Sequence, residues 1–486
     1  MGTPSSGPVV LVGGAVITVD DDRRVLDPGT TVVEDDRIAA VGDRETILEA
    51  YSSVERIDLR ESVLLPGLID SHGHAGHALT KNLASGTVDW LEVVRELYCR
   101  HAGERFWRAE SRLVALSRLR AGVTTSLSYV GSVPRVDSPE YDVAAADGYR
   151  ELGLRHVCAV GPPGPPYPLD CRDLRTGKEI AVDLDRAIET TRAVIDRLDG
   201  AADGRLSVCV ALAELVPEFE GDGDATPPQA SERSIVGLER VVELAAEHDL
   251  PIQAHCYGGQ VEAAAKAVPE ILSPSLSLAH CAGISEKEIE LLADNGVAAS
   301  HGPLTHAYAT ARFPVIEALD AGLTVAISTD GAAPDRSFDL LSQARIAAQL
   351  QRVHFEDTSL LPAGKLIEAM TIDAAATLGL DGEIGSLEPG KKADVIALDA
   401  RSAPLCPRYA LAQRVVHYAT GGDVAFAMVG GRVRLQDGRP GNGSGETVDE
   451  AAILDEADRV ARETFGRADA LSLTESHPKT WNNVRY

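Results

Sequence analysis

Basic side chains are in short supply. Lys and Arg total 46 against 74 Asp and Glu, giving a net charge of −28. Nucleic acid and anionic membrane surfaces both need a basic patch on their partner. Neither is expected to bind this chain, and the acidic excess reads as solubility. Cysteine is also sparse and scattered: Cys99, Cys158, Cys171, Cys209, Cys256, Cys281 and Cys406. The number is odd and no Cys-x-x-Cys pair occurs, which excludes a disulfide framework and suits reduced thiols in a cytoplasmic protein. No apolar run approaches the roughly 18 residues that cross a bilayer. The opening stretch MGTPSSGPVV lacks the basic and apolar regions of a signal peptide. Aromatic residues are only 4 %. Trp90, Trp107, Tyr167, Tyr257 and Phe313 are therefore candidates, by position, for walls of a pocket, and equally for core. A small molecule is the partner left to consider.

At 486 residues the chain can bury one large core with a smaller companion. Short strand-like segments with turn signals fill residues 8 to 65, beginning with Val9 to Val12. A matching set lies near the other end, in Asp394 to Leu398, Val424 to Val429 and Arg432 to Leu435. Between them strand-like and helix-like runs alternate. Leu64 to Ile69, Val123 to Leu127, His156 to Val160, Leu206 to Leu212, Pro251 to Ala254, Leu276 to Ala279, Val297 to Ser300 and Leu323 to Ile327 are the strands. Helical patterns such as Asp89 to Arg100, Glu104 to Arg120, Ile235 to His248 and Glu286 to Asn295 separate them. This alternation predicts an α/β protein built on a (β/α)8, TIM-like barrel. The Pro- and Gly-rich loop Gly161 to Pro168, which carries Tyr167, could line its mouth. Glu218 to Gln229 reads as an exposed loop, Gly438 to Gly445 as a linker, and Val448 to Arg467 as a helix.

The chemistry-bearing residues fall at the ends of these strands. Pro66-Gly67-Leu68-Ile69-Asp70-Ser71-His72-Gly73-His74 places two histidines one residue apart. On a strand, side chains i and i+2 share a face, so His72 and His74 can offer two imidazoles to one ion. Alone, such a pair is weak. It gains weight from Gln253-Ala254-His255-Cys256, Leu278-Ala279-His280-Cys281 and Ser328-Thr329-Asp330-Gly331, each closing an apolar stretch. Active sites of barrels sit at the C-terminal ends of strands. Cys256 and Cys281 would point to the opposite face and pack as small apolar residues.

This ordered set resembles the amidohydrolase superfamily, in particular the mononuclear branch with the cytosine, guanine and chlorotriazine aminohydrolases. The likeness spans roughly residues 8 to 440 and rests on PGLIDSHGH, AGVTT from Ala121, QAHC, LAHC, ISTDG and GSLEPGKKADVIALD from Gly385. It implies that residues 1–65 and 381–440 pair into a β-sandwich domain, that 66–380 form the barrel, and that 441–486 are a helical tail. It implies His72, His74, His255 and Asp330 as ligands of one divalent metal ion per subunit, with His280 beside the metal's water. Imidazole nitrogen and carboxylate oxygen suit zinc first, and also iron, cobalt or manganese. Such an ion lowers the pKa of its water from about 15.7 toward about 7. Asp330 would then take the water's proton and relay it to the leaving group, and His280 would orient the water. Binuclear members carry a carbamylated lysine on strand four. No lysine lies between Leu206 and Val216, which argues for one metal, and the nearby Glu214 reads as a strand-end carboxylate. His77, on the first loop, and His301 and His306, around Gly302-Pro303-Leu304-Thr305, are candidates for touching substrate. The other histidines read as core or surface. The resemblance also implies a homodimer or larger homo-oligomer.

One position departs from the pattern. Aminohydrolases of this branch carry His-x-x-Glu at strand five, where the glutamate protonates a ring nitrogen. Here the segment is His255-Cys256-Tyr257-Gly258. Glycine can neither give nor take a proton through a side chain, and it is expected to leave room for a bulkier substrate. Gln260 and Glu262 lie further on. The departure predicts attack on a carbon that is already electrophilic: the carbonyl of an amide, urea, carbamate or thiocarbamate, with cleavage of a C–N or C–S bond. The alternative is an aminohydrolase or dechlorinase of a heteroaromatic ring, in which His301, His306 or Glu214 takes over the glutamate's task.

Overall fold

The computed structural model describes residues 7–84, 90–132, 135–220, 228–308, 311–443 and 446–474. Parts of the expected loops at 218–229 and 438–445 and the start of the helical stretch at Asp89 lie outside the described residues. Eight parallel strands run side by side in sequence order: Leu68–Asp70, Val123–Val130, Arg155–Val160, Leu206–Leu212, Ile252–Tyr257, Leu276–Ala282, Ala298–His301 and Thr324–Ile327. Their residues are almost all buried, because a parallel sheet is covered by helices on one side and filled by its own side chains on the other.

The connecting helices start and stop where local chemistry directs. Ser231 accepts from the Ser234 amide at the start of helix Glu232–His248. Ser285 and Glu288 form a reciprocal capping box on helix Glu286–Asp294. Gly153 ends helix Glu140–Leu152 in the left-handed conformation.

The first and last strands of the chain form one continuous mixed sheet of nine strands. Val9–Ile17 runs parallel to Glu55–Pro66, which runs antiparallel to Val395–Asp399, so the two chain ends share a ladder. Glu55–Pro66 leads straight into the first barrel strand through Gly67. A Cβ there would lie 2.1 Å from the Thr124 hydroxyl, so the turn between sheet and barrel requires glycine. Arg155 of the third barrel strand donates to Asp394 across the same junction at 2.7 Å.

Two features were not legible in the sequence pattern. The segment after the Pro-rich loop is a hairpin, Leu169–Arg172 with Glu179–Val182. It is pinned by the buried Arg135, which donates to the carbonyls of Tyr98, Ala102 and Arg172. Trp107 is no pocket wall: it is fully buried with Tyr98 and Phe106, where helix Glu104–Arg120 receives the C-terminal helix Glu450–Arg467 through Ala457, Val460 and Phe465.

Asp142, buried on helix Glu140–Leu152, has one carboxyl oxygen without a partner. Burial, reinforced by Asp137, pushes its carboxyl up to about 8. The folded state thus holds a proton that the unfolded chain releases near pH 3.8. Stability from this proton is complete below that pH and is lost as pH rises through about 8. Asp142→Asn is expected to raise the melting temperature at pH 8 and to change it little at pH 4, as read by thermal unfolding across that range.

Candidate metal centre

The barrel closes between its first and eighth strands through a buried charge network. Asp70 accepts from Arg118 Nη2 at 2.8 Å, from the Thr329 hydroxyl at 2.7 Å and from the Thr329 amide at 2.8 Å. Immediately beyond this seam the Asp330 amide donates to the His72 carbonyl at 3.1 Å. His72 and Asp330 are therefore placed together by backbone.

His72 and His74 do not share one uninterrupted strand, as the i, i+2 reading expected. His72 lies in a bend, and His74 begins a two-residue strand, His74–Ala75, that pairs with Tyr129 and Val130. The bend turns both imidazoles inward all the same, with ring centroids 5.2 Å apart. His255 lies two residues before the end of the fifth strand and His280 two before the end of the sixth, their rings 4.8 and 5.3 Å from that of His72. The possible ligand atoms of His72, His74 and His255 lie within 4.8 Å of one another, and so do those of His72, His280 and Asp330.

Hydrogen bonds from the far ring nitrogens fix the tautomers. His74 Nδ1 meets the Gly131 carbonyl at 2.9 Å and His255 Nδ1 the Ala213 carbonyl at 2.6 Å. Carbonyls only accept, so both Nδ1 atoms carry hydrogen. Gln253 Nε2 donates to the Ser71 carbonyl and the Ser277 hydroxyl, which leaves its Oε1 to accept from His72 Nδ1 at 2.8 Å. Each Nε2 therefore points a bare lone pair into the site. His72 Nε2 is buried without a hydrogen-bond partner, and His74 and His255 face each other Nε2 to Nε2 at 3.2 Å. Two opposed lone pairs repel unless a cation lies between them. Nitrogens about 2.1 Å from a tetrahedral zinc are about 3.4 Å apart, so the donor set and spacing fit a metal ion.

Asp330 completes the set. Its Oδ1 is 3.4 and 3.2 Å from the Nε2 atoms of His72 and His74. Its Oδ2 is occupied by the Thr305 hydroxyl at 2.7 Å and Arg336 Nη1 at 2.5 Å. Burial opposes its ionisation, but the Arg336 guanidinium outweighs burial and holds the carboxyl well below the usual range. Burial keeps His255 and His280 neutral, the latter pulled down to about 3. Asp330, His280 and Cys281 all adopt left-handed backbone, with φ of 55°, 71° and 51°. Such strain in non-glycine residues collects at functional sites.

The remaining candidates divide. His77 stacks behind His74 at 5.1 Å, is edged by Trp90 at 5.4 Å and bonds the Ser132 hydroxyl at 2.9 Å. Tyr257, 41 % exposed, stacks on His280 at 5.8 Å and so stands at the mouth. His306 lies 6.1 Å from His280 and 4.9 Å from His301, and Phe313 packs against both. Tyr167 is half-buried in its loop and makes no ring contact with the cluster among the described residues. Cys256 and Cys281 are buried, as expected of side chains that alternate with the histidines.

Gly258 does not open space for a larger substrate. A Cβ there would lie 2.3 Å from the Gly283 carbonyl oxygen. The backbone after strand six occupies the place of a side chain. Gln253, Thr305 and Arg336 were missed. Gln253 carries a signal, since it precedes His255 by two and shares its face; nothing local marks the other two.

The amidohydrolase family model matches residues 63–434. A 5-methylthioadenosine/S-adenosylhomocysteine deaminase of Nitratidesulfovibrio vulgaris is 31 % identical over 447 residues, covering 88 % of this chain and 92 % of that protein. Two solved structures share the fold. An adenosine deaminase from Xanthomonas campestris with bound zinc has a TM-score of 0.76 at 20 % identity, covering 94 % of this chain and 98 % of that one. An atrazine chlorohydrolase from Arthrobacter aurescens complexed with zinc has a TM-score of 0.75 at 23 % identity, covering 93 % and 100 %.

Partners of metal-binding histidines typically contribute about 10–100-fold to metal affinity. Gln253→Leu removes the acceptor that holds the His72 tautomer. It is expected to weaken zinc retention by that factor, measured by chelator competition with elemental analysis, while far-ultraviolet circular dichroism stays unchanged. Unaltered retention would remove Gln253 from the site.

Proposed function

The chain belongs to the amidohydrolase family, and from that premise we propose that it hydrolyses a carbonyl-type C–N bond in a small molecule. An amide, urea or carbamate is the substrate class, with a thiocarbamate C–S bond as a variant. The chain is a hydrolase of C–N bonds by family; the proposal concerns the carbon attacked.

Gly258 carries this reading. The carboxylic acid that would activate an aromatic ring from strand five is absent, and the Gly283 carbonyl fills its place. A carbonyl carbon needs no such activation.

His72, His74, His255 and Asp330 would hold the metal, with zinc as first choice. When bound, a divalent ion supplies acidified water at neutral pH and polarises a carbonyl. Asp330 Oδ1 takes the proton of the attacking water, since Thr305 and Arg336 occupy its Oδ2. The neutral His280 ring, beside Asp330 and His72, orients that water. His77, Tyr257 and His306 border the space a substrate would enter, and Tyr257 closes its outer side; His301 faces the helix layer instead, against Val315, Val325, Ile327 and Leu366.

The second reading is release of ammonia or chloride from a heteroaromatic ring. The deaminase relative at 31 % identity favours it.

Mass spectrometry of products from zinc-loaded protein separates the two. The panel holds anilides, N-aryl ureas and carbamates beside adenine nucleosides, aminopyrimidines and chlorotriazines. Cleavage of the first group into amine and acid is the expected result; ammonia or chloride from the second would overturn the carbonyl reading. Asp330→Asn should cut turnover by about 10²–10⁴, the usual worth of a general base. Near-normal activity in that variant would remove Asp330 from the mechanism.

A further inference from the structure

The hydrolysis has one further demand, which the resemblance gave to Asp330 by relay although Thr305 and Arg336 occupy its Oδ2. A nitrogen leaving group departs readily only after it gains a proton, and strand five offers no acid. Gln260 cannot give one, and Glu262 is engaged by Lys287 at the surface. Resting on the reading that the histidine cluster is the catalytic centre, we propose that Glu214, at the end of the fourth strand, delivers that proton.

The placement of Glu214 is governed by a metal-site residue. Its preceding carbonyl, on Ala213, accepts from His255 Nδ1 at 2.6 Å, and its following amide, on Leu215, donates to the His255 carbonyl at 2.8 Å. The chain around Glu214 is thus clipped to His255 from both sides. Its side chain is directed by Gln260, whose Nε2 donates to Glu214 Oε2 at 2.9 Å. Gln260 is itself buried and anchored, because its Oε1 accepts from the Tyr257 amide at 3.2 Å. The carboxyl is drawn toward the fifth-strand turn where Gly258 stands. Through Gln260 the Glu214 carboxyl is tied to the backbone of Tyr257, whose ring stacks on His280 at 5.8 Å. Burial raises the Glu214 carboxyl above its ordinary value, only partly offset by Gln260, which favours a group that keeps a proton to give.

The step balances as follows. Water adds to the carbonyl carbon, a C–O bond forms, and the water proton passes to Asp330. The C–N bond breaks with its electron pair on nitrogen, and that nitrogen takes the Glu214 proton and leaves as a neutral amine. Glu214, now a carboxylate, regains a proton from solvent, and Asp330 returns the water's proton to solvent, so no proton is gained or lost overall.

Two measurements on the full-length, zinc-loaded protein test this. Infrared difference spectra at pH 7 between wild type and Glu214→Gln should contain the carbonyl band of a protonated carboxylic acid; its absence overturns the proposal whether or not a substrate is found. The second measurement compares acetanilide, whose amine needs a proton, with 4-nitrophenyl acetate, whose phenolate leaves without one. Glu214→Gln should slow the anilide by about 10²–10⁴ and the ester at least tenfold less. Equal slowing of both, or loss of zinc, assigns Glu214 to supporting His255 and overturns the proposal. If wild type cleaves neither, the carbonyl reading falls, and an aminotriazine and chlorotriazine pair replaces them, since chloride also leaves without a proton. If Glu214→Gln does not fold, Gln260→Met, which keeps the carboxyl but removes its donor, should shift the acid band; an unshifted band overturns the assignment.

Discussion

The buried ion pair between Arg118 and Asp70 is the constraint on which the site depends. Both side chains are fully buried. Such a pair loses several kcal/mol of hydration per ion, and it holds only when every remaining polar group is satisfied. Thr329 supplies its amide and hydroxyl to Asp70, and Ser128 and Tyr149 accept from Arg118. The network joins the first strand to the eighth and the second strand to both. One residue past Thr329 is Asp330, and two past Asp70 is His72. The separation of these two site residues is therefore set by a charge network that touches neither. Its bonds are directional, so the seam has one register.

Around the centre, the same logic operates through tautomers. A neutral imidazole has one donor and one acceptor nitrogen. The Gly131 and Ala213 carbonyls and the Gln253 amide each take the donor, so the acceptors converge. Burial opposes protonation of His255 and His280. The result is a pocket of lone pairs with a carboxylate, a poor resting arrangement by itself and a suitable one around a divalent cation.

The fifth strand shows how a family's chemistry can move while its scaffold stays. The Gly283 carbonyl occupies the space beyond Gly258, which bars any side chain there. The carboxyl proposed in its stead is that of Glu214, at the neighbouring strand end and tied to the same turn by Gln260. Likeness of fold to deaminases and a chlorohydrolase carries the barrel and its mouth, while the groups around the leaving atom are this chain's own.

Much of this was legible in the residues. Alternation of apolar runs marked all eight barrel strands to within a few positions, because a parallel strand buried on both faces must be apolar throughout. The strand-end motifs marked His72, His74, His255, His280 and Asp330, because chemistry in a barrel gathers at one rim. The sequence alone also removed the acid from position 258, since glycine has no side chain. Tertiary structure decided the rest. Gly258 read as open space and is filled, since the occupant is backbone from residue 283. Arg336 and Thr305 meet Asp330 from other segments, and no local pattern records that meeting. Trp107 read as pocket wall or core, and its packing against a helix more than three hundred residues later makes it core. Residue type and spacing determine which groups can do chemistry; which of them face one another is set by contacts between segments distant in the chain.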